Sequence, residues 1–291
     1  MTNTIGVFDS GFGGLTVLRA LLAQLDPLAR TRQFVFLGDT ARLPYGSKSR
    51  RTIARYAAES ARFLVDEQGA EFLVIACNTA SALAFDAIQQ AVSVPILGVI
   101  EPGAAAARAA SQTGDILVLA TDATVQSHAY AEACRARGLR AMEKACPLLV
   151  PLVEEGWTRH PVTAQVIRIY LDELLGEARA AGLHPDTLVL GCTHYPLIRT
   201  LIEEAVPPGM QVIDSAEATA VEAAALLSPL SPQGDVAAQQ HVSAREPASA
   251  LRPASNSLHF FATDSVEKFE RLGSRFLGQP TGPVQLVDLG G

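Results

Sequence analysis

Short, almost wholly apolar runs recur along the chain at 5–8, 33–37, 72–76, 96–99, 116–120, 187–190 and 211–213. Each is followed by turn residues and, in most cases, by a longer segment with helical spacing. This alternation is the rhythm of βαβ units. Runs such as Phe72-Leu73-Val74-Ile75-Ala76 and Thr187-Leu188-Val189-Leu190 leave almost no polar face, as parallel strands covered on both sides by helices require. Between the runs, Ile53, Tyr56, Ala57, Phe63 and Leu64 share one helical face, and Ile167, Tyr170, Leu171, Leu174, Leu175 and Ala178 share another. The pattern predicts a doubly wound α/β fold.

At roughly 150 residues per domain, 291 residues make about two domains. A content of 48% hydrophobic and 18% charged residues excludes a wholly disordered chain. A long-range echo points the same way: Leu73-Val74-Ile75-Ala76-Cys77-Asn78-Thr79 resembles Leu188-Val189-Leu190-Gly191-Cys192-Thr193-His194, as if two related halves each presented one cysteine. We expect a discontinuous division, with 1–98 plus 211–291 in one α/β domain and 99–210 in the other. The stretch 228–257, rich in Ser, Pro, Ala and Gln and without periodicity, reads as a mobile insertion. Beyond it, order is expected from 258, and Asp264-x-x-Glu267 reads as a capping-box variant opening a helix to about Leu277.

The charge balance, 23 Lys and Arg against 30 Asp and Glu, gives −7, and there is no polybasic run, so the footprint of a nucleic-acid binder is missing. The longest uncharged stretches, 72–85 and 87–100, are 14 residues each, short of the roughly 18 of a membrane span. The first nine residues carry no basic region followed by an apolar one, which gives the expectation of a cytoplasmic protein. Of the cysteines, Cys77, Cys134, Cys146 and Cys192, no two form C-x-x-C, so thiols are expected rather than a zinc knuckle or a redox pair.

Cys77 and Cys192 each stand where a strand gives way to a helix. With Asn78 or Thr79 capping the helix after Cys77, and Pro196 opening the one after Cys192, both thiols meet the positive end of a helix dipole, which favours thiolate. The carboxyl ends of parallel strands are also where open α/β sheets bind ligands. The alternative is that each is a small buried filler, and Cys134 and Cys146 are assigned to that class. The first turn, Asp9-Ser10-Gly11-Phe12-Gly13-Gly14, offers backbone N–H groups to an anion, yet Thr16 replaces the third glycine of a dinucleotide fingerprint. Asp9 either satisfies turn N–H groups or acts on a neighbouring thiol's proton. Pro44-Tyr45-Gly46 reads as a turn. His194 is either an acid–base group or a local hydrogen-bonding residue, and Glu154 is either a solvated charge or a buried functional carboxylate.

Taken together, Asp-Ser-Gly-x-Gly-Gly at 9–14, Pro-Tyr-Gly at 44–46, Cys-Asn-Thr at 77–79 and Cys-Thr-His-Tyr-Pro at 192–196 resemble the cofactor-independent glutamate racemases. The resemblance covers nearly the whole chain apart from 228–257. It implies two pseudo-symmetric α/β domains with the active site at their interface, and interconversion of L- and D-glutamate by Cys77 and Cys192 acting on opposite faces of the α-carbon. It further implies that Asp9 assists Cys77, that His194 assists Cys192 and that Glu154 is an auxiliary. Asp9, Ser10, Tyr45, Gly46, Asn78, Thr79, Thr193 and His194 are implied to contact the substrate. No pyridoxal phosphate or metal is implied, a homodimer is compatible with the resemblance, and the biological role implied is the supply of D-glutamate for peptidoglycan. The competing readings are a cysteine hydrolase using Cys192 and His194, a decarboxylase or cis–trans isomerase of the same superfamily, and a non-catalytic amino-acid-binding module.

Overall fold

The computed structural model describes residues 4–25, 32–228 and 258–290. Apart from Ser228, the insertion expected at 228–257 lies outside the described residues. Two all-parallel sheets carry the fold. The first contains β1 (Thr4–Asp9), β2 (Gln33–Gly38), β3 (Phe72–Ile75), β4 (Ile96–Gly98), β9 (Leu258–Ala262) and β10 (Val284–Leu286), in the order β10-β9-β2-β1-β3-β4. The second contains β5 (Asp115–Ala120), β6 (Arg140–Ala145), β7 (Thr187–Gly191) and β8 (Gln211–Asp214), in the order β6-β5-β7-β8. The segment β2-β1-β3-β4 therefore repeats as β6-β5-β7-β8, and β3, which ends just before Cys77, corresponds to β7, which ends at Cys192's neighbour Gly191.

β8 pairs with β7 in register Leu188↔Val212, so Gln211–Asp214 belongs to the second sheet as the counterpart of β4 in the first. The following helix, Ser215–Leu227, packs on helix Leu15–Gln24 of the first sheet and on helix Ile100–Ala110 of the second, and so ties the two together.

Side chains alternate between two cores with the period of the pleat. Phe34 and Phe36 of β2, Val74 of β3, Leu117 and Leu119 of β5, and Leu188 and Leu190 of β7 join one continuous core between the sheets. Val35, Leu37, Leu73 and Ile75 face a second core beneath the first sheet, while Ile116, Val118 and Val189 face a third beneath the other. Burial on both faces explains why these strands read as unbroken apolar runs.

Three local expectations are corrected. The segment after Cys77 forms two short helices, Asn78–Leu83 and Phe85–Ala91, rather than one. Neither Asn78 nor Thr79 caps the first of them; Cys77 does so itself, its sulfur accepting from Ala80 N–H at 3.4 Å. Asp264 and Glu267 do not form a capping box: helix Val266–Leu277 starts after Ser265, which is left-handed (φ 52°) and makes no side-chain cap, while Asp264 Oδ1 accepts from Ser265 N–H. Among the described residues, no helix is long and apolar enough to cross a membrane.

Candidate active site

Each sheet has a point where successive connections leave in opposite directions: between β1 and β3 in the first, and between β5 and β7 in the second. Such switch points open a crevice at the carboxyl ends of the strands. The two crevices face one cavity of about 460 Å³. Asp9 reaches it from the end of β1, Tyr45 from the turn after β2, Cys77 from β3, Thr121 from β5, Cys146 from β6 and Cys192 from β7. Every site residue expected from the sequence lines this space: Asp9, Ser10, Tyr45, Gly46, Cys77, Asn78, Thr79, Glu154, Cys192, Thr193 and His194.

On the first-sheet side, Cys77 Sγ lies 3.4 Å from Ser10 Oγ. Burial pushes the Cys77 thiol up to about 12, helped by the charge of Asp9 and opposed by hydrogen bonds from Ser10 and Ala80. Asp9 is itself buried. Its Oδ2 accepts from Gly11 N–H at 2.8 Å, whereas Oδ1 has no partner. Burial raises its carboxyl pKa against the attraction of His194.

On the other side, His194 Nδ1 lies 3.9 Å from Cys192 Sγ, and Nε2 lies 3.3 Å from Glu154 Oε1. Burial opposes charging of the imidazole, but hydrogen bonds with Cys192 and Glu154 outweigh it and push His194 up to about 10. Glu154 moves the opposite way: burial would raise it, yet His194 and Lys268 bring it below its ordinary value. The side chain of Glu154 is only 22% exposed, so it is not a solvated surface charge. Gly13 makes room for this group, since a methyl there would collide with Thr193 Oγ1 and lie 2.7 Å from His194 Nδ1. Thr16 Oγ1 donates to Thr193 O at 3.0 Å, joining the first turn to the Cys192 turn.

Tyr45 is held from behind: its hydroxyl donates to Asp39 Oδ2 at 2.5 Å, and Asp39 also receives Arg42 and Thr263. Only the body of Tyr45 is left to face the cavity. Between the sheets, Thr79 Oγ1 meets Thr121 Oγ1 at 3.1 Å and Thr124 Oγ1 at 3.4 Å. No lysine or arginine is among the described residues lining the cavity, so an anion there meets His194, hydroxyls, the Asn78 amide and backbone N–H groups.

Sequence reasoning missed several wall residues, including Leu43, Thr121, Asp122, Pro147, Val150 and Pro151. It also assigned Cys146 to the buried fillers. That thiol is buried but in the cavity wall, donating to Lys144 O at 3.6 Å. Asp39 had a readable signal, because Gly38-Asp39 closes β2 as Asp9 closes β1. Cys134 lies in the third core, away from the site.

The chain matches the Asp/Glu/Hydantoin racemase family over residues 5–223. It is 52% identical over 296 residues to a glutamate racemase of Koribacter versatilis (strain Ellin345), covering 99% of this chain and 98% of that protein. Its fold superposes on glutamate racemase isoform RacE1 from Bacillus anthracis with a TM-score of 0.80 at 35% identity, covering 99% and 98% of the two chains. Glutamate racemase from Francisella tularensis subsp. tularensis SCHU S4, solved in complex with D-glutamate, gives a TM-score of 0.79 at 29% identity with the same coverage. By the match over residues 5–223 and the identity to these relatives, this chain belongs to the Asp/Glu/Hydantoin racemase family.

Proposed function

We propose that the chain is a cofactor-independent glutamate racemase that interconverts L- and D-glutamate by a two-base cysteine mechanism. The observation that carries this reading is the placement of Cys77 and Cys192 at equivalent points of two repeated sheets, both in the wall of one cavity. A single base returns a proton to the face it left; inversion needs a second acid on the opposite face. In one direction the thiolate of Cys192 takes the α-proton, forming S–H while the C–H electron pair passes onto the α-carbon and its carboxylate. The thiol of Cys77 then gives its proton to the other face and is left as thiolate. The reverse reaction exchanges the roles.

The surroundings suit these tasks. Cys77, which burial keeps as a thiol, begins as donor, and Asp9, with its raised carboxyl and unpaired Oδ1, is the group that returns its proton. His194, charged at neutral pH, is a cationic hydrogen-bond donor for Cys192, with Glu154 fixing its ring. Ser10, Gly46, Asn78, Thr79 and Thr193 hold the two carboxylates through hydroxyl, amide and backbone donors, and the Tyr45 ring forms wall. The lobes are taken as β1–β4 with β9–β10 and as β5–β8, with the limit now beyond Asp214. We place the activity in the cytoplasm, supplying D-glutamate for peptidoglycan.

The test is incubation with L-glutamate in D2O followed by chiral chromatography and mass spectrometry. Formation of D-glutamate carrying one α-deuterium supports the proposal. Recovery of unchanged L-glutamate defeats it in favour of a binding module.

A further inference from the structure

Tyr130, in helix Ala129–Arg135 of the second lobe, has no exposed surface. It occupies a slot made by two glycines. A methyl on Gly191 would come 3.0 Å from its Cε2, and one on Gly103 would come 3.2 Å from its Cε1. Gly191 is the residue before Cys192. The Tyr130 hydroxyl donates at 2.7 Å to Oδ1 of Asn78, the residue after Cys77. One rigid side chain thus touches both cysteine-bearing turns, across the division between the lobes.

The direction of this hydrogen bond decides what Asn78 can offer. A side-chain amide has one acceptor and two donors, and Tyr130 takes the acceptor. What remains is Nδ2, which is buried without a partner in a residue that lines the cavity. An amide N–H2 left unpaired in the interior is unfavourable, and a ligand oxygen relieves that. Without the hydroxyl, either face of the amide can turn towards the ligand, and the acceptor face repels a carboxylate.

We propose that Tyr130 is a positioning residue for racemisation: it holds the Asn78 amide with its N–H2 group as the donor for a substrate carboxylate, and spaces the Cys77 turn from the Cys192 turn. The inference rests on the glutamate-racemase reading of the same site. Because this hydrogen bond to the substrate exists before and during proton transfer, its loss falls on binding more than on turnover.

The experiment combines Tyr130→Phe, Asn78→Ala and the double variant. It measures racemisation by circular dichroism, D-glutamate affinity by calorimetry and thermal unfolding. Tyr130→Phe is expected to raise KM and the Kd for D-glutamate about tenfold, with kcat within about threefold. In the Asn78→Ala background the same substitution should change Kd less than about twofold, because the amide it positions is gone. Asn78→Asp keeps an acceptor for Tyr130 but presents an anion to the ligand; it should fold and lose D-glutamate binding, and it reads the donor role even if Tyr130→Phe does not fold. The inference is overturned by parent-like affinity in Tyr130→Phe or Asn78→Asp, or by a tenfold loss that persists without Asn78. If the parent protein itself does not racemise glutamate, the functional reading fails instead, so the two failures are distinct.

Discussion

Glu154 grips His194 on the side away from the thiol: Oε1 lies 3.3 Å from Nε2, while Oε2 lies 3.6 Å from Lys268 Nζ on helix Val266–Leu277. The same helix sends Phe276 edge-on to the imidazole, with ring centroids 5.0 Å apart. His194 is therefore oriented by residues about 40 positions before it and about 80 after it in the chain. Glu154→Gln keeps the shape and removes the charge. His194 should then titrate at lower pH, and kcat should fall by about 10- to 100-fold. The pH profile of kcat/KM for both enantiomers checks this, and an unmoved profile refutes it. Lys268→Met, at a half-exposed position, should cost no more than a few-fold.

The paired thiols give a prediction about isotopes. Cys77→Ser and Cys192→Ser should each lose racemisation by at least about 10³-fold while keeping the parent's far-ultraviolet circular dichroism. A variant with one thiol left can lift a proton from one face only. The two variants should therefore wash deuterium from D2O into opposite enantiomers, which proton NMR of the α-position reads directly. Exchange into the same enantiomer by both variants contradicts the two-base assignment.

His194 also links stability to pH. Its folded pKa, about 10, lies above the ordinary value of 6.5, so its contribution is full below about pH 6.5 and is lost as pH rises through about 10. Urea unfolding between pH 6.5 and 10.5 should show a decline in the parent that is shallower in His194→Asn. Parallel curves for the two proteins would remove His194 as the source.

Gly13 is needed for space. Gly13→Ala drives a methyl into Thr193 and to 2.7 Å from His194 Nδ1, so it should cost about 1–3 kcal/mol and displace the imidazole from Cys192. Phe276→Ala, which empties a fully buried site, should cost about 3–5 kcal/mol. Urea denaturation measures both, and turnover of Gly13→Ala should fall more than its loss of folded protein explains.

The central strands were readable because burial on two faces writes itself into sequence as an apolar run, and much of the cavity wall was readable because Asp9, Ser10, Cys77, Asn78, Thr79, Cys192, Thr193 and His194 sit where those runs end. β6 escaped notice because Arg140, Glu143 and Lys144 belong to an edge strand that keeps charge, and β10 because Val284–Leu286 is too short to show a period. Lys268 and Phe276 could not be placed in the site either: nothing local in helix Val266–Leu277 says which distant histidine it will touch. Tyr130 carries no local signal in the sequence, since its partner Asn78 lies 52 positions away, beside the turn that follows β3.

β9 lies between β2 and β10, so the first sheet, begun by the first strand of the chain, is finished by the last two. The second sheet, by contrast, draws on one unbroken stretch. On a ribosome adding about 5–20 residues per second, β2 emerges roughly 10–45 s before the strand that covers its free edge. Through that interval Phe34, Val35, Phe36 and Leu37 form a bare, sticky border on the nascent chain. The helix that steadies His194 arrives with the same late segment, so biosynthesis delivers Cys77 and Cys192 first and the clamp that orders the imidazole beside Cys192 last.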